Sequence, residues 1–228
     1  MSEFQMHLDT GRDYYAEGNY EAAKAAAEHA LQVAQTNDTR EAQTLQALCL
    51  RKLEYTDEAY ALLRDIVNST PTAEACAEYA LMCAERNECD ASCRQLTNHA
   101  VMNDPDLPSA YMALFWCDLT DGQPLSAVKN LKRGILRGAE FAEARAFDII
   151  RNWCQQYFDA GDAHSAYALM TEVGDLFNTL DFTILEARVA DVCGEPRVAV
   201  HYYKKALAWL RAGSMRTEVL EAIARLAI

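Results

Sequence analysis

A frame of turn and small residues recurs along the chain, and it limits the fold more than any other feature. Gly18, Tyr20, Ala23, Ala30 and Leu31 stand at offsets 0, 2, 5, 12 and 13. The turn position then reads Gly18, Glu54, Glu88, Gly122, Gly161 and Gly194, at separations of 36, 34, 34, 39 and 33 residues. Five residues on, the small position reads Ala23, Ala59, Cys93, Ala127, Ala166 and Ala199; seven further, the chain has Ala30, Ile66, Ala100, Gly134, Val173 and Ala206. Self-similarity at such a period means one supersecondary unit per copy, each unable to bury its apolar face alone.

The unit is a helix, a tight turn and a second helix, with alanine where helices approach closest. Pro71, Pro124 and Pro196 fall where proline is tolerated, in or before the first turn of a helix. The pattern predicts thirteen helices, at roughly 3–16, 20–35, 40–53, 56–69, 72–86, 90–102, 108–120, 124–136, 140–159, 163–175, 180–192, 196–211 and 215–228. Composition agrees: 228 residues, 51% hydrophobic, with only 5 prolines and 9 glycines, describe a core-forming chain and neither a disordered nor a turn-rich one.

Gly11, Tyr14, Gly18, Tyr20, Ala23, Ala30 and Leu31 in the first copy, and Tyr111, Leu114, Gly122, Ala127 and Leu131 in the fourth, resemble the tetratricopeptide-repeat family over nearly the whole chain. The resemblance implies an all-α, right-handed superhelical solenoid of about six hairpins plus a C-terminal capping helix. It would form one domain over 1–228, with repeats near 3–36, 40–70, 72–104, 108–138, 140–176 and 180–212 and a cap at 214–228. Gln43, Gln46, Thr183 and Glu186 depart from the family pattern at apolar positions, and the fifth repeat is about five residues longer in its first helix. A generic helical repeat or irregular α-bundle is the competing architecture.

In this family the first helix of each hairpin lines a concave groove. Carrying the frame over assigns Leu8, Arg12, Tyr15, Leu45, Leu48, Arg51, Tyr79, Met82, Arg86, Met112, Trp116, Leu119, Asn152, Gln155, Phe158, Ile184, Leu185 and Arg188 to that surface. Inter-helix core is the competing place for each one singly. As a set they are apolar, which suits an amphipathic or apolar segment of another protein. Tyr79, Met82, Met112, Trp116 and Phe158 would take its apolar side chains, and Arg12, Arg51, Arg86 and Arg188 its acidic groups or carbonyls. The resemblance thus implies a non-enzymatic interaction module acting as adaptor, assembly factor or chaperone. Self-assembly through the groove or the terminal helix is the second reading, motivated by Leu220, Ala224 and Ile228 on the outer side of that helix. The clamp by which some family members hold chaperone C-termini is not expected, since its positions read Leu8, Arg12, Leu45, Ala75 and Tyr79.

Other functions find little support. The formal net charge of -13 disfavours nucleic acid, which needs a clustered basic face, and Lys129, Lys132, Arg133 and Arg137 read as a solvated helix row. No apolar run approaches the roughly 20 residues of a membrane span, and MSEFQMHLDTGRDYY has no signal-peptide pattern, so a soluble cytoplasmic protein is expected. His7, His29, His99, His164 and His201 are scattered, no phosphate-binding glycine loop occurs, and neither catalysis nor a cofactor is expected. Among eight cysteines, only Cys83, Cys89 and Cys93 with His99 resemble a zinc set. Their spacing fits no compact CxxC pair, so buried free thiols and no metal are expected.

Overall fold

In a computed structural model, residues 1–34 and 39–226 are described. They form α1 (Glu3–Ala16), α2 (Tyr20–Val33), α3 (Arg40–Lys52), α4 (Thr56–Ser69), α5 (Ala73–Glu85), α6 (Ala91–Asn103), α7 (Pro108–Thr120), α8 (Pro124–Leu136), α9 (Glu143–Asp159), α10 (Ala163–Val173), α11 (Leu180–Val192), α12 (Pro196–Leu207) and α13 (Ser214–Leu226). A 3-10 turn, Gly174–Leu176, follows α10. The expected end of α2 at 35 and the cap residues Ala227 and Ile228 lie outside the described residues. The expected helices at 140–159 and 196–211 are shorter than the periodicity suggested: α9 begins at Glu143 and α12 ends at Leu207.

The alanine frame is the packing frame. Ala23, Ala59, Ala127, Ala166 and Ala199 are wholly buried, as are Ala30, Ala100, Val173 and Ala206, while Cys93 is 2% exposed. Gly11 shows how tight the approach is: a Cβ there would lie 2.8 Å from Leu45 Cδ2 and 3.3 Å from the Ala23 carbonyl oxygen.

The turns repeat as well. Gly18, Glu54, Asn87, Gly161 and Gly194 have positive φ, and in each case the next residue's N–H reaches back across the helix end: Asn19 to the Tyr14 carbonyl, Tyr55 to Leu50, Glu88 to Cys83, Asp162 to Tyr157, and Glu195 to Ala190. This is the Schellman C-cap, which needs a left-handed residue. In the third repeat that residue is Asn87, one before the expected Glu88, so the turn there holds one extra residue ahead of Cys93. Asp90 then caps α6, accepting from the Ser92 and Cys93 N–H groups. Cys89 is in the loop before it.

Packing groups the chain into two compact units, Met1–Asp121 with Leu136–Ala139, and Gly122–Ile135 with Glu140–Ile228. In a repeat array each hairpin touches only its neighbours, so the core is a series of local clusters. In the first unit α1 packs on α2 and α3, α3 on α4 and α5, and α5 on α6 and α7, which brings α1, α3, α5 and α7 side by side. Its clusters centre on Leu8, Ala27 and Leu45, on Leu63, Ala75 and Met82, and on Cys76, Ala100 and Ala110.

In the second unit α9 to α13 pack in succession. Phe182 is 1% exposed, with its ring stacked 4.6 Å from Phe177 and edge-on at 5.3 Å to Phe147. Thr183, a departure from the apolar pattern, is buried without penalty because its hydroxyl donates to the Thr179 carbonyl at 2.8 Å. The last helix caps the unit: Val219 is buried, Ala222, Ile223 and Leu226 pack on Ala187 and Tyr203, and Arg225 pairs with Asp191 at 2.5 Å. Met215 and Leu220 stay exposed.

Candidate functional site

The inner helices of the first unit enclose a cavity of about 290 Å³ between α1, α3 and the start of α5. Leu45 and Leu48, each 6% exposed, and the half-buried Tyr15 supply its apolar surface. Arg12, Glu41, Thr44, Thr72 and Glu74 supply its polar surface. Thr44 donates to the Arg40 carbonyl at 2.8 Å and shares a 3.3 Å hydrogen bond with Thr72, whose oxygen also caps α5 through the Ala75 N–H. These bonds fix the wall where α3 meets α5.

Charge in and beside the cavity is organised by ion pairs, most of them between successive hairpins. Arg12 donates to Glu41 at 2.8 Å and lies 3.7 Å from Asp9. Arg51 bonds both Glu78 and Glu85, the latter at 2.7 Å. Glu74 has no cation within ion-pair distance among the described residues; burial, then the neighbouring Glu78 carboxylate, pushes its carboxyl up to about 7. The same two causes, burial first, raise the Tyr15 phenol above its ordinary range. With neutral aromatic and leucine surface beside carboxylates, the cavity has the make-up of a site for a side chain with an apolar body and a polar end.

Neither a protein-family model nor a curated protein matches the sequence. Solved structures do match in fold. PilW, a widely conserved type IV pilus biogenesis factor, is 20% identical over 91% of this chain and 94% of its own, with a TM-score of 0.57. The Pseudomonas aeruginosa pilF protein is 16% identical over 96% of each chain, with a TM-score of 0.60. The chain has the tetratricopeptide-repeat fold. Within that fold the expected groove residues can be sorted by where their side chains go.

Arg12, Tyr15, Leu45 and Leu48 come together at the cavity, and Arg51 pairs with Glu78 and Glu85 on the adjoining helix. Two expected groove residues of these helices are wholly or almost wholly buried in core clusters. Leu8 is wholly buried against Ala23 and Ala27, and Met82 is 1% exposed beside Leu63 and Ala75. Tyr79 and Arg86 are turned to α4: the Tyr79 ring lies 5.1 Å from that of Tyr60, and Arg86 sits 4.2 Å over the Tyr60 ring while bonding Asp57 at 2.5 Å. Met112 is 7% exposed, and Trp116 and Leu119 are half-buried on α7.

The remaining residues belong to the second unit. Asn152, Gln155 and Arg188 are exposed, Phe158 is half-buried, and Ile184 and Leu185 are buried. Gln155 donates to Asp159 at 2.8 Å. A separate hollow of about 170 Å³ in that unit, between Tyr167, Met170, Glu186 and Tyr202, contains none of the expected residues.

Sequence reasoning missed Glu41, Thr44, Thr72 and Glu74. Glu41, Thr72 and Glu74 stand at helix starts, where they look like capping or first-turn residues; the sequence carries no signal that α3 and α5 bring these four to one cavity.

The cysteines lie apart from the cavity. Cys89 Sγ is 3.4 Å from Cys117 Sγ on α7, and Cys76 Sγ is 3.7 Å from His99 Nδ1. The Cys93 thiol donates to the Glu88 carbonyl oxygen at 3.9 Å. His99 thus faces Cys76, outside the set drawn from sequence, and among the described residues no three His, Cys, Asp or Glu side chains converge as metal ligands. Among the described residues no helix is long and apolar enough to cross a membrane.

Proposed function

We propose that this protein is a non-enzymatic interaction module that takes up a segment of another protein on the inner face of α1, α3 and α5. The observation that carries this reading is the cavity where Tyr15, Leu45 and Leu48 meet Arg12, Thr44 and Glu74. Its apolar surface, flanked by fixed polar groups, is suited to a side chain with an apolar body and a polar end. An assembly-factor role is one form of such a module, and PilW is a biogenesis factor of the same fold. Adaptor and chaperone roles need the same surface. Buried thiols at Cys49, Cys76 and Cys154 support a reducing compartment such as the cytoplasm.

Site-specific photocrosslinking tests the reading. A benzophenone amino acid at Tyr15 is expected to capture a defined partner in native lysate, whereas the same probe at Met102, which is 83% exposed, captures none. Equal capture at both places, or none at Tyr15, would remove the cavity from consideration. Self-assembly is the second reading, favoured by the exposed Met215 and Leu220 on α13. Light scattering that finds a concentration-independent monomer of 25.5 kDa excludes it.

A further inference from the structure

We infer that the segment bound in this cavity is basic, and that a lysine or arginine of the partner places its charged end against Glu74 while its aliphatic stem lies along Tyr15 and Leu48. The inference rests on the proposed interaction role and names the chemistry of the partner.

The charge arrangement excludes the opposite choice. Arg12 is the guanidinium group that lines the cavity, and it is already held by two carboxylates of this chain, Asp9 and Glu41, while Arg51 on the adjoining turn of α3 is likewise held by Glu78 and Glu85. An acidic segment would have to displace Glu41 or Glu78 and then face the displaced charge. It would also meet Glu74, which among the described residues has no cation within ion-pair distance and feels Glu78, Glu41 and Asp104 against the opposing charge of Arg12. Like-charge contact of this kind suppresses wrong partners, and an unmatched carboxylate in a partly desolvated site favours a cation strongly.

The fold tolerates Glu74 because it lies in the first turn of α5, where the helix dipole favours a negative group. That explains its presence without supplying a counter-ion. The surrounding surface supplies the rest of the fit. Lysine and arginine carry three or four methylenes that pack on apolar surface while the charged end stays at a polar rim. Tyr15, Leu45 and Leu48 form such a surface beside Glu74.

The test uses two fluorescein-labelled peptides of equal length, one alternating leucine with lysine and one alternating leucine with glutamate, titrated with the full chain and read by fluorescence anisotropy. The lysine peptide is expected to bind at least about tenfold more tightly, a difference that shrinks with added salt. Glu74→Gln should weaken it several-fold, while Glu218→Gln with Glu221→Gln, on the exposed side of α13, should leave it unchanged. Equal weakening by both changes would mean attraction to the net charge of the whole molecule, which overturns the inference. Glutamate-peptide binding that matches the lysine peptide and is lost in Tyr15→Ala would also overturn it, while leaving the interaction role in place. If neither peptide binds, both readings fall.

Discussion

Cys89 and Cys117, 28 residues apart, hold their sulfurs 3.4 Å from each other across the junction of the α5–α6 loop with α7. Cys89 stands in the loop ahead of α6, outside the helix that carries Cys93. Burial, then the Cys117 hydrogen bond, pushes the Cys89 thiol up to about 12, so little thiolate is available at neutral pH. Treatment with diamide is expected to join the two sulfurs slowly, each thiol losing a hydrogen to the reagent, and faster as pH rises. Peptide mapping by mass spectrometry checks this, and Cys117→Ser should abolish the cross-link. Cys93→Ala should cost below about 1.5 kcal/mol, since alanine fills the equivalent place in the other five repeats. A stoichiometric metal lost together with the fold on chelation would contradict both expectations.

Arg94 joins α6 to α7 by donating to Asp118 and Asp121, each at 2.7 Å from Nη2. Asp118 is 2% exposed, and removing a partner from a buried charge is costly, although Arg94 itself is about a third exposed and the loss is partly screened. Arg94→Ala should lower stability by about 2 kcal/mol in urea titration. Arg94→Lys should recover only part of it, because a single ammonium does not reproduce the fork between two carboxylates.

Glu54 occupies a left-handed turn, φ 68°, that glycine fills in four of the other turns of the repeat frame. Glu54→Gly should therefore raise stability by about 0.5–1 kcal/mol, the relief of backbone strain exceeding the added freedom of the unfolded chain. Asn87→Gly, at φ 59°, should gain less, since asparagine tolerates this conformation. Shifts in urea midpoint at unchanged slope would verify both.

The Glu74 carboxyl, pushed up to about 7 in the folded chain, gives stability a definite pH dependence. Between the ordinary unfolded value near about 4.3 and the folded value, the native state holds the extra proton, so this contribution is complete below that range and is lost as pH rises to about 7. Glu74→Gln removes the dependence. Its Tm should match that of the parent near pH 4 and exceed it by about 2 °C at pH 8. The N-cap carboxylates Asp90 and Asp162, held below the usual range by hydrogen bonds from Ser92 and Ser165, act in the opposite direction at lower pH and do not mask the effect.

The helices and their small-residue contacts were legible because both depend on short-range spacing. Ala23, Ala59 and Ala166 could be placed at close approaches from sequence alone, and the structure buries them completely. The cavity was only partly legible. A helix carries its whole set of side chains around one axis, and a rotation of less than one residue's arc decides whether Leu8 or Leu48 faces the core. That rotation is set by the neighbouring helices, as in the fit of Gly11 beneath Leu45. Arg12 and Arg51 were visible as cations, but their partners Glu41, Glu78 and Glu85 lie 27 to 34 residues away, and only the stacking of one hairpin on the next makes those cations spoken for. Repeat spacing thus determined the elements and their order. Tertiary packing decided which face is left open and the sign of the charge it presents.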